Sequence, residues 1–220
     1  MISGLVAAAQ SASTSSNLQL WSIVSVQDAA RRKKIAEFCS DQDQVHHAPW
    51  FFAFIADHHR IRQASWQVDG TAESLDYTEF ALMAYIDVAL AAERFVCAAE
   101  SAGLGVCYIG AMRNHPSEIR ALLGLPEGTF SPFGLCLGYP DLDRLPSVKP
   151  RLSQKVVWFK ESYDPEAGIG DYDQRMEPFY ARRGLGTSWR THSSKRISSP
   201  NLEGRETLKE FLISIGFGVR

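Results

Sequence analysis

Short apolar runs and longer helical patterns alternate along the chain. Runs typical of strands lie at Leu20–Val26, Pro49–Ala56, Leu104–Ile109 and Phe133–Leu137. The second run is apolar at every position, which favours a strand buried on both faces. Because helical patterns separate these runs, the sequence predicts a sheet with helices on both faces.

Several helices have recognisable end signals. Asp28 is a typical N-cap ahead of a helix over Ala29–Phe38. Pro116, at a first-turn position, begins a short helix that ends near Gly124. A last helix is predicted over Arg205–Ile215, with a glycine directly behind it.

The longest helix is predicted over Glu79–Ala102 and ends at Gly103, where a left-handed C-cap fits. It has about the length of a bilayer span, but Asp87, Glu93 and Arg94 lie inside it and each is costly in lipid. A buried helix is therefore predicted. Since apolar residues surround its axis, we expect other elements to enclose it.

Other segments lack such a pattern. Asp57–Thr78 is polar and aperiodic, which predicts a long surface excursion. A charged, irregular stretch follows the loop at Lys149–Arg151, and the Ser- and Arg-rich segment Gly184–Asn201 is predicted to be a mobile loop. At the front, Met1–Gln10 has helical composition but begins almost inside its apolar stripe, with only Ser3 to cap it. We therefore expect that an element in front of it is missing from this chain.

Composition narrows the class of protein. Of 220 residues, 45% are apolar and 22% are charged, and the net charge is −2. These values are typical of a globular protein with a core and exclude a disordered or fibrous chain. Near-neutral charge gives no electrostatic reason to expect binding to nucleic acid or anionic membranes. The cysteines lie apart, without zinc or redox spacing, and indicate buried thiols in a reducing cytoplasm: Cys39, Cys97, Cys107 and Cys136.

Several catalytic devices are absent from the sequence. It contains no GxSxG nucleophile elbow and no GxxxxGK phosphate loop. Gly103-Leu-Gly105 follows a helix and leads into a strand, which is the reverse of a dinucleotide-binding turn. His46-His47 and His58-His59 are adjacent pairs whose side chains point in different directions. We therefore expect exposed or capping histidines and no metal site.

Three other clusters could bind a ligand. Ser11–Asn17 offers small hydroxyl donors just after a helix, which suits an anion or a polar ring edge. Tyr108–Ala111 lies at the end of a strand where open α/β sheets bind ligands, and Gly110 permits close approach of the backbone. Lys149 and Arg151 are two cations beside a proline. Taken alone, each cluster has an ordinary alternative: a serine-rich turn, a strand exit and two exposed cations.

Seven sequence strings in order extend this picture to nearly the whole chain. They are Ser11–Gln19, Gln42 with Val45, Ala48–Pro49, Ala99–Gly105, Tyr108–Asn114, Phe133–Gly138 and Lys149–Leu152. Each string is weak by itself, but seven in register are a strong signal. Together they resemble the FMN-dependent nitroreductase family, specifically its NADPH-preferring nitroreductase and flavin-reductase branch.

The resemblance implies a homodimeric α+β fold, a three-layer α/β/α sandwich with a central mixed sheet and helices on both faces. It implies a flavin-binding core over residues 1–160 and a C-terminal extension over residues 161–220, with FMN bound in clefts at the subunit interface. By motif, the flavin contacts fall on Ser13, Thr14, Ser15, Gln42, Tyr108, Ile109, Gly110, Ala111, Lys149 and Arg151. The positions near substrate or NADPH are Asn17, Arg183 and Arg205.

The activity that the resemblance implies is hydride transfer from NADPH or NADH to nitroaromatics, quinones or free flavin by a ping-pong mechanism. The chemistry would lie on FMN, so that no side chain need act as a nucleophile or general base. This agrees with the absence of catalytic triad motifs from the sequence.

Two departures from the family pattern leave alternatives open. Family members carry an extra first helix with an Arg-Ser-x-Arg motif at the FMN phosphate, and this segment is absent here. After Gly184, the family's Asn-Asn-Arg segment is shortened to Leu185–Trp189, which leaves NADH and NADPH both open as donors. The main alternative is a truncated or degenerate relative that binds flavin weakly or not at all and is non-catalytic. A nucleic-acid contact by the basic residues near the C-terminus is disfavoured, because no aromatic residues interleave with them.

Overall fold

The computed structural model describes residues 1–198, 202–218 and 220, and the chain divides into two compact units. The first unit consists of Met1–Pro140 and Leu202–Arg220, and the second of Asp141–Asn201. The final helix thus lies in the same unit as the sheet, while the domain division at residue 160 stays a prediction.

The helices and strands follow in chain order. The α-helices of the described residues are α1 (Ile2–Gln10), α2 (Ala29–Phe38), α3 (Asp43–His47), α4 (His59–Trp66), α5 (Thr78–Ser101), α6 (Pro116–Leu123), α7 (Tyr172–Ala181), α8 (Trp189–Ser198) and α9 (Leu208–Ser214). The strands are β1 (Trp21–Val26), β2 (Trp50–Asp57), β3 (Gly105–Ile109) and β4 (Thr129–Gly138). Among the helices described, none is both long and apolar enough to cross a membrane.

The four strands form one sheet in the order β1-β2-β4-β3. By this order, β1 and β3 are the edges of the sheet within the described residues, and all three pairings are antiparallel. The predicted mixed sheet is therefore wrong for the strands that the structure describes. The predicted α+β sandwich is confirmed, because helices cover both faces of this sheet.

Strand β2 is buried on both faces, as its continuous apolar run predicts. Successive side chains alternate between the faces. Phe52 and Phe54 pack in a cluster with residues of α1 and α5. Phe51, Ala53 and Ile55 pack on the opposite face with residues of α2, α3 and α6. These two apolar layers form most of the core of the first unit.

The predicted helix ends are confirmed by their capping geometry. The Asp28 carboxylate accepts the backbone N–H of Arg31 at 2.8 Å and begins α2. Gly103 follows Ala102, the C-cap residue of α5, with φ +76°, and Gly124 directly follows α6 with φ +64°. In both places the left-handed backbone stops the helix, and glycine adopts it without a Cβ clash.

The expectation that α5 is enclosed all round is wrong within this chain. Leu82, Ile86 and Leu90 lie at i, i+4 and i+8 and are 51%, 57% and 44% exposed. The opposite side of the helix packs on the sheet through buried residues such as Val88 and Phe95. Thus α5 has one covered apolar face and one open apolar stripe.

Two segments predicted to be irregular contain helices. Helix α4 lies within the predicted surface excursion, and none of its residues is fully buried, although Ile61 packs against a core cluster of the first unit. Helix α7 lies in the charged stretch, and its buried residues repeat at helical spacing: Tyr172, Met176, Phe179 and Tyr180. Pro178 and the charged residues between them obscure that period in the sequence.

The predicted mobile loop over Gly184–Asn201 is wrong for its described helical part. Helix α8 occupies Trp189–Ser198, and the Ser188 hydroxyl accepts the N–H of Thr191 at 3.1 Å. Trp189 packs edge-on against Tyr172, with ring centroids 5.3 Å apart. These contacts support a helix whose composition alone does not indicate one. Residues 199–201 of the predicted loop lie outside the described residues.

The cysteine and histidine predictions are each partly wrong. Cys39 and Cys136 are buried, and burial raises the pKa of each thiol to about 12, but Cys97 is exposed.

His58 was expected to be exposed or capping and is instead fully buried, because its ring packs against Phe217. Within the described residues, no three His, Cys, Asp or Glu side chains converge in a way that could hold a metal ion.

Candidate functional site

The hydroxyl-rich loop between α1 and β1 has an unusual backbone. Ser16, Asn17 and Gln19 all have left-handed φ angles, of 49°, 55° and 52°. For residues other than glycine this region costs about 1–2 kcal/mol each. A loop with three such residues persists only where surrounding contacts hold it.

Asp87 of α5 supplies those contacts. Its carboxylate accepts the Thr14 hydroxyl at 2.5 Å, the Ser15 backbone N–H at 3.1 Å and the Leu20 backbone N–H at 3.0 Å. The Thr14 hydroxyl in turn accepts the backbone N–H of Gln19 at 2.9 Å. The carboxylate therefore fixes both ends of the loop on the central helix.

Arg60 of α4 holds the exit of the same loop. Its Nη2 donates to the backbone carbonyls of Gln19 at 2.6 Å and Trp21 at 2.8 Å. Its Nη1 donates to the Ser22 hydroxyl at 3.0 Å. The loop is thus attached to two different helices, which explains how its strained conformation is kept.

The predicted flavin residues of this loop divide into an inner and an outer set. Thr14 uses its hydroxyl to bond Asp87, so that group supports the loop from inside. Ser13 and Ser15 are exposed, and their hydroxyls have no hydrogen-bond partner among the described residues. The two serine side chains are therefore the ones that the loop presents to a ligand.

The second predicted segment, Tyr108–Ala111, ends the edge strand β3. Ile109 and Ala111 are buried in the core, whereas Tyr108 is 43% exposed. The Tyr108 hydroxyl donates to Glu93 of α5 at 3.2 Å, and its ring packs edge-on against Phe133. Burial, and then the negative charge of Glu93, raise the pKa of Tyr108 above its ordinary value. This side chain is a neutral donor that is already engaged, so the backbone is the part of this segment open to a ligand.

Gly110 stands at the turn that follows β3. A Cβ built at this position would lie 3.2 Å from Nη2 of Arg113, whose guanidinium donates to the Pro132 carbonyl. The turn therefore has little space for a side chain. The close approach of a ligand to the backbone at Gly110 stays a prediction.

Gln42 lies at the start of α3 and is half-buried. Its Nε2 donates to the Cys39 carbonyl at 2.9 Å, and its Oε1 accepts from Gln44 at 2.7 Å. The Gln44 amide nitrogen also lies 3.9 Å from the Cys107 Sγ of β3. Burial raises the pKa of Cys107, which keeps it a thiol. Gln42 is thus linked through Gln44 to the strand that carries Tyr108.

Helix α5 connects the loop and the strand end. Asp87 binds the loop at Thr14 and Ser15, and Glu93 accepts the Tyr108 hydroxyl. Positions 87 and 93 are six residues apart, which is about 9 Å along a helix axis. The structure therefore attaches two of the predicted flavin segments to one rigid helix.

Three of the predicted cations, Lys149, Arg151 and Arg183, lie in the second unit. Lys149 and Arg183 both lie over the ring of Phe179, with the Lys149 Nζ 5.7 Å and the Arg183 Cζ 4.6 Å from the ring centroid. Arg151 is exposed. The structure thus brings together Lys149 and Arg183, which the family motifs assign to different ligands.

The other two predicted substrate positions differ in their surroundings. Asn17 is exposed on the loop, and its Oδ1 accepts a long hydrogen bond of 3.4 Å from Gln19. Arg205 is largely buried, and its Nε donates to the Oδ1 of Asn114 at 2.7 Å. Arg205 therefore has a structural bond in addition to any role toward substrate.

Sequence analysis missed Asp87 and Asn114, the two buried polar residues at the centre of these networks. In the sequence, Asp87 indicates only that its helix does not span a membrane. The available signal was a single carboxylate among apolar neighbours in the middle of a buried helix. Such a group requires hydrogen-bond partners, and these come from the loop.

The donors presented by these segments suit FMN. The outer hydroxyls of Ser13 and Ser15 can donate to or accept from the polar edge of a flavin ring, as can unpaired backbone groups of the β3 edge. Lys149 and Arg151 are exposed cations of the kind that phosphate attracts. The serine loop and the β3 edge therefore suit the polar edge of a flavin ring, and the cations of the second unit, taken by themselves, suit a phosphate. The α+β fold and this donor chemistry are together typical of the flavin-dependent class of proteins.

Comparison with known proteins agrees with this class. Residues 1–139 match the nitroreductase family, and residues 149–220 match the C-terminal domain of the nitroreductase family. The chain belongs to the nitroreductase family, and it is an oxidoreductase. The family resemblance inferred from the sequence strings is thereby confirmed.

Individual relatives match over nearly the whole chain. The NADPH-flavin oxidoreductase of Vibrio harveyi is 37% identical over 219 residues, which cover 98% of this chain and 88% of that protein. The FMN reductase (NADPH) of Bacillus subtilis is 33% identical over 222 residues, with the same coverage of 98% and 88%. The solved structure of NfrA1 from B. megaterium superposes with a TM-score of 0.92 at 35% identity, covering 99% of this chain and 90% of that one.

Proposed function

We propose that this protein is an FMN-dependent reductase that uses NADPH, or NADH, to reduce nitroaromatics, quinones or free flavin by a ping-pong mechanism. The observation that carries the proposal is the loop held by Asp87, which presents two serine hydroxyls that have no hydrogen-bond partner in the described part of the chain. The names of the relatives support FMN as cofactor and NADPH as donor.

Bound FMN would supply reversible two-electron chemistry, so the protein need not provide a nucleophile. Ser13 and Ser15 would hold the polar edge of the flavin, while Thr14 keeps the loop in place from inside. The backbone of Tyr108–Ala111 would line the ring, because the side chains at positions 109 and 111 are buried and the Tyr108 hydroxyl is bound to Glu93. Gln42 would approach the ring or the ribityl chain after exchanging one of its present amide bonds.

The exposed cations would bind the charged parts of cofactor and donor. Lys149 and Arg151 would attract the FMN phosphate, because a fixed cation and a phosphate form a charge-assisted hydrogen bond. Arg183, which lies against the face of Phe179, would bind the additional phosphate of NADPH. Asn17 and Arg205 would border the cleft for the electron acceptor.

A homodimer is part of the proposal. The stripe of Leu82, Ile86 and Leu90 leaves apolar surface open along α5, and such a stripe is typical of a subunit interface. A second copy of the chain, placed against this helix, would cover the stripe. It would also lie beside Tyr108, which is exposed on the neighbouring strand.

The proposal is tested by titrating the purified chain with FMN while following flavin fluorescence. We expect saturable binding, followed by NADPH oxidation that depends on added FMN and on a nitroaromatic or quinone acceptor. Initial rates at several fixed acceptor concentrations should give parallel double-reciprocal lines, as a ping-pong mechanism requires. A protein that stays colourless and unreactive with FMN and NADPH would overturn the assignment, and intersecting lines would overturn the mechanism.

A further inference from the structure

We propose that Asp87 is a positioning residue that holds the loop Ser13–Gln19 in the conformation that binds FMN. The proposal rests on the proposed function, since it concerns how this chain prepares its own flavin site. It assigns a role to a buried carboxylate that contacts no ligand itself and acts through Thr14 and Ser15.

The burial of Asp87 requires an explanation. It is 1% exposed and lies on α5 among apolar residues that pack on the sheet. A carboxylate in such surroundings is costly unless its lone pairs are used, and an apolar residue would serve the helix without that cost. Its bonds to the loop are therefore what Asp87 contributes.

The arrangement of those bonds shows what they do. The carboxylate accepts from Thr14 and Ser15 at the beginning of the loop and from Leu20 at its end. Between these attachment points lie the left-handed residues Ser16, Asn17 and Gln19. One side chain thus closes the loop on itself and on α5. With the loop held in this way, the Ser13 and Ser15 side chains face solvent.

This arrangement requires that both carboxylate oxygens of Asp87 accept hydrogen bonds. A carboxylate offers two oxygens with about four lone pairs, whereas asparagine offers one oxygen and an NH₂ donor. In Asp87→Asn, the NH₂ group would replace one of the two acceptors and would face a donor hydrogen of the loop. The variant has almost the same volume, so it tests the bonds and not the packing.

Thr14 allows a milder test. Thr14→Val removes the hydroxyl that links Asp87 to the Gln19 amide, and Thr14→Ser restores it with one methyl group fewer. Thr129→Val is a matched control, because Thr129 is a buried threonine whose hydroxyl donates to the Pro126 carbonyl away from the loop. All four variants are compared with wild type for FMN dissociation constant and for melting temperature without FMN.

We expect the FMN dissociation constant to rise about tenfold or more in Asp87→Asn and Thr14→Val. Thr14→Ser should stay within about threefold of wild type, because it keeps the hydroxyl. Thr129→Val should lower the melting temperature without changing FMN affinity. The proposal is overturned if Thr14→Val binds FMN as wild type does, or if Thr129→Val weakens binding as much as Thr14→Val.

Hydrogen exchange separates this proposal from the proposed function. The backbone amides of Ser15, Gln19 and Leu20 are measured in the flavin-free protein, and we expect Asp87→Asn to lose protection there while the amides of β2 keep theirs. If wild type binds no FMN yet Asp87→Asn still loses protection at these amides, the flavin assignment fails and the loop attachment stands. If the three amides exchange alike in wild type and Asp87→Asn, the positioning role is wrong whether or not FMN binds.

Discussion

The imidazole of His58 lies parallel to the ring of Phe217, with ring centroids 4.2 Å apart and planes 9° apart. Both residues are buried, and the contact joins the end of β2 to the C-terminal segment of the chain. The His58 Nε2 bonds the Phe80 carbonyl at 2.9 Å, and its Nδ1 has no partner within the described residues. The ring therefore stays neutral in the folded protein, because a charged ring would bring a second proton into an apolar site.

We predict that protonation of His58 destabilises the protein at acidic pH. Burial is the main cause that lowers the pKa of His58 below 6.5, so the unfolded chain binds a proton more readily than the folded chain. The loss of stability caused by this protonation is absent above the pKa that His58 has in the unfolded chain. It grows as the pH falls below about 6.5 toward the lowered pKa of His58 in the folded protein. Urea unfolding at pH 7.5 and at pH 5.5 should give a lower free energy of unfolding at the acidic pH.

The variant His58→Gln isolates this effect from the carboxylates that also titrate. It should be less stable than wild type at pH 7.5 because it loses the ring stack, but its stability should fall less between the two pH values. His47→Gln, at an exposed position, is the control and should keep the wild-type pH dependence. Equal pH dependence in His58→Gln and wild type would exclude His58 as the source.

A second prediction concerns packing in the sheet. A Cβ added at Gly134 of β4 would lie 2.3 Å from Cζ of Phe51, a buried ring on the neighbouring strand. Gly134→Ala should therefore lower the free energy of unfolding by about 1–3 kcal/mol, because the ring must move within a packed core. Chemical denaturation measures the change.

Gly4→Ala is the matched control for this substitution. Gly4 lies within α1, and no atom approaches its added Cβ within 4 Å. Alanine is the better helix former, so Gly4→Ala should be neutral or stabilising by up to about 1 kcal/mol. A Gly134→Ala protein as stable as wild type would show that Phe51 moves without cost.

Local signals in the sequence were enough to predict the core of the fold. Asp28 and Gly124 mark helix ends through their own side-chain or backbone chemistry, and both predictions are confirmed. The run of β2 is apolar throughout because the strand is buried on both faces. Such a run is recognisable from the sequence of the strand itself, without knowledge of the strands that pair with it. The antiparallel order of the strands depends on pairings between distant segments, which no local pattern records.

The candidate site was predictable only in part. The serine loop and the end of β3 were found from small residues and from family motifs. The role of Asp87 was not predictable from the local sequence, because its hydrogen bonds go to residues 67 to 73 positions away in the chain. Helix α8 was not predicted for a related reason. The contact of Trp189 with Tyr172 supports this helix more than the composition of the helix does.

A third prediction concerns Arg205 and Asn114. Arg205 donates to Asn114, whose Nδ2 donates to Ser40 at 3.0 Å, and Asn114 is buried. Arg205→Ala should lower the free energy of unfolding by about 1–3 kcal/mol, since the Asn114 carbonyl loses a charged donor. Combined with Asn114→Ala in a double-mutant cycle, it should show a coupling energy of about 1 kcal/mol or more.

The same variants test the predicted place of Arg205 near substrate. If its contribution is structural, Arg205→Ala and Asn114→Ala lose stability together, and the KM for the acceptor is unchanged once the folded fraction is taken into account. A large rise in KM in Arg205→Ala alone, with stability retained, would instead favour a direct role toward the acceptor and contradict the coupling.

The open stripe on α5 leads to the last prediction. Ile86 is the centre of the stripe and is 57% exposed within the chain, so Ile86→Glu leaves the core of the protein unchanged. In a dimer, the same glutamate would be buried against a second copy without a partner charge, which should raise the dimer dissociation constant by at least about 100-fold. Sedimentation velocity should show wild type as a dimer and Ile86→Glu as a folded monomer, with wild-type secondary structure by circular dichroism.

Val68→Glu is the matched control, because Val68 is 78% exposed and lies outside the stripe, and it should sediment as wild type does. If Ile86→Glu remains a dimer, the two copies meet at another surface. If wild type is a monomer, the proposed homodimer is wrong and no second copy covers the stripe.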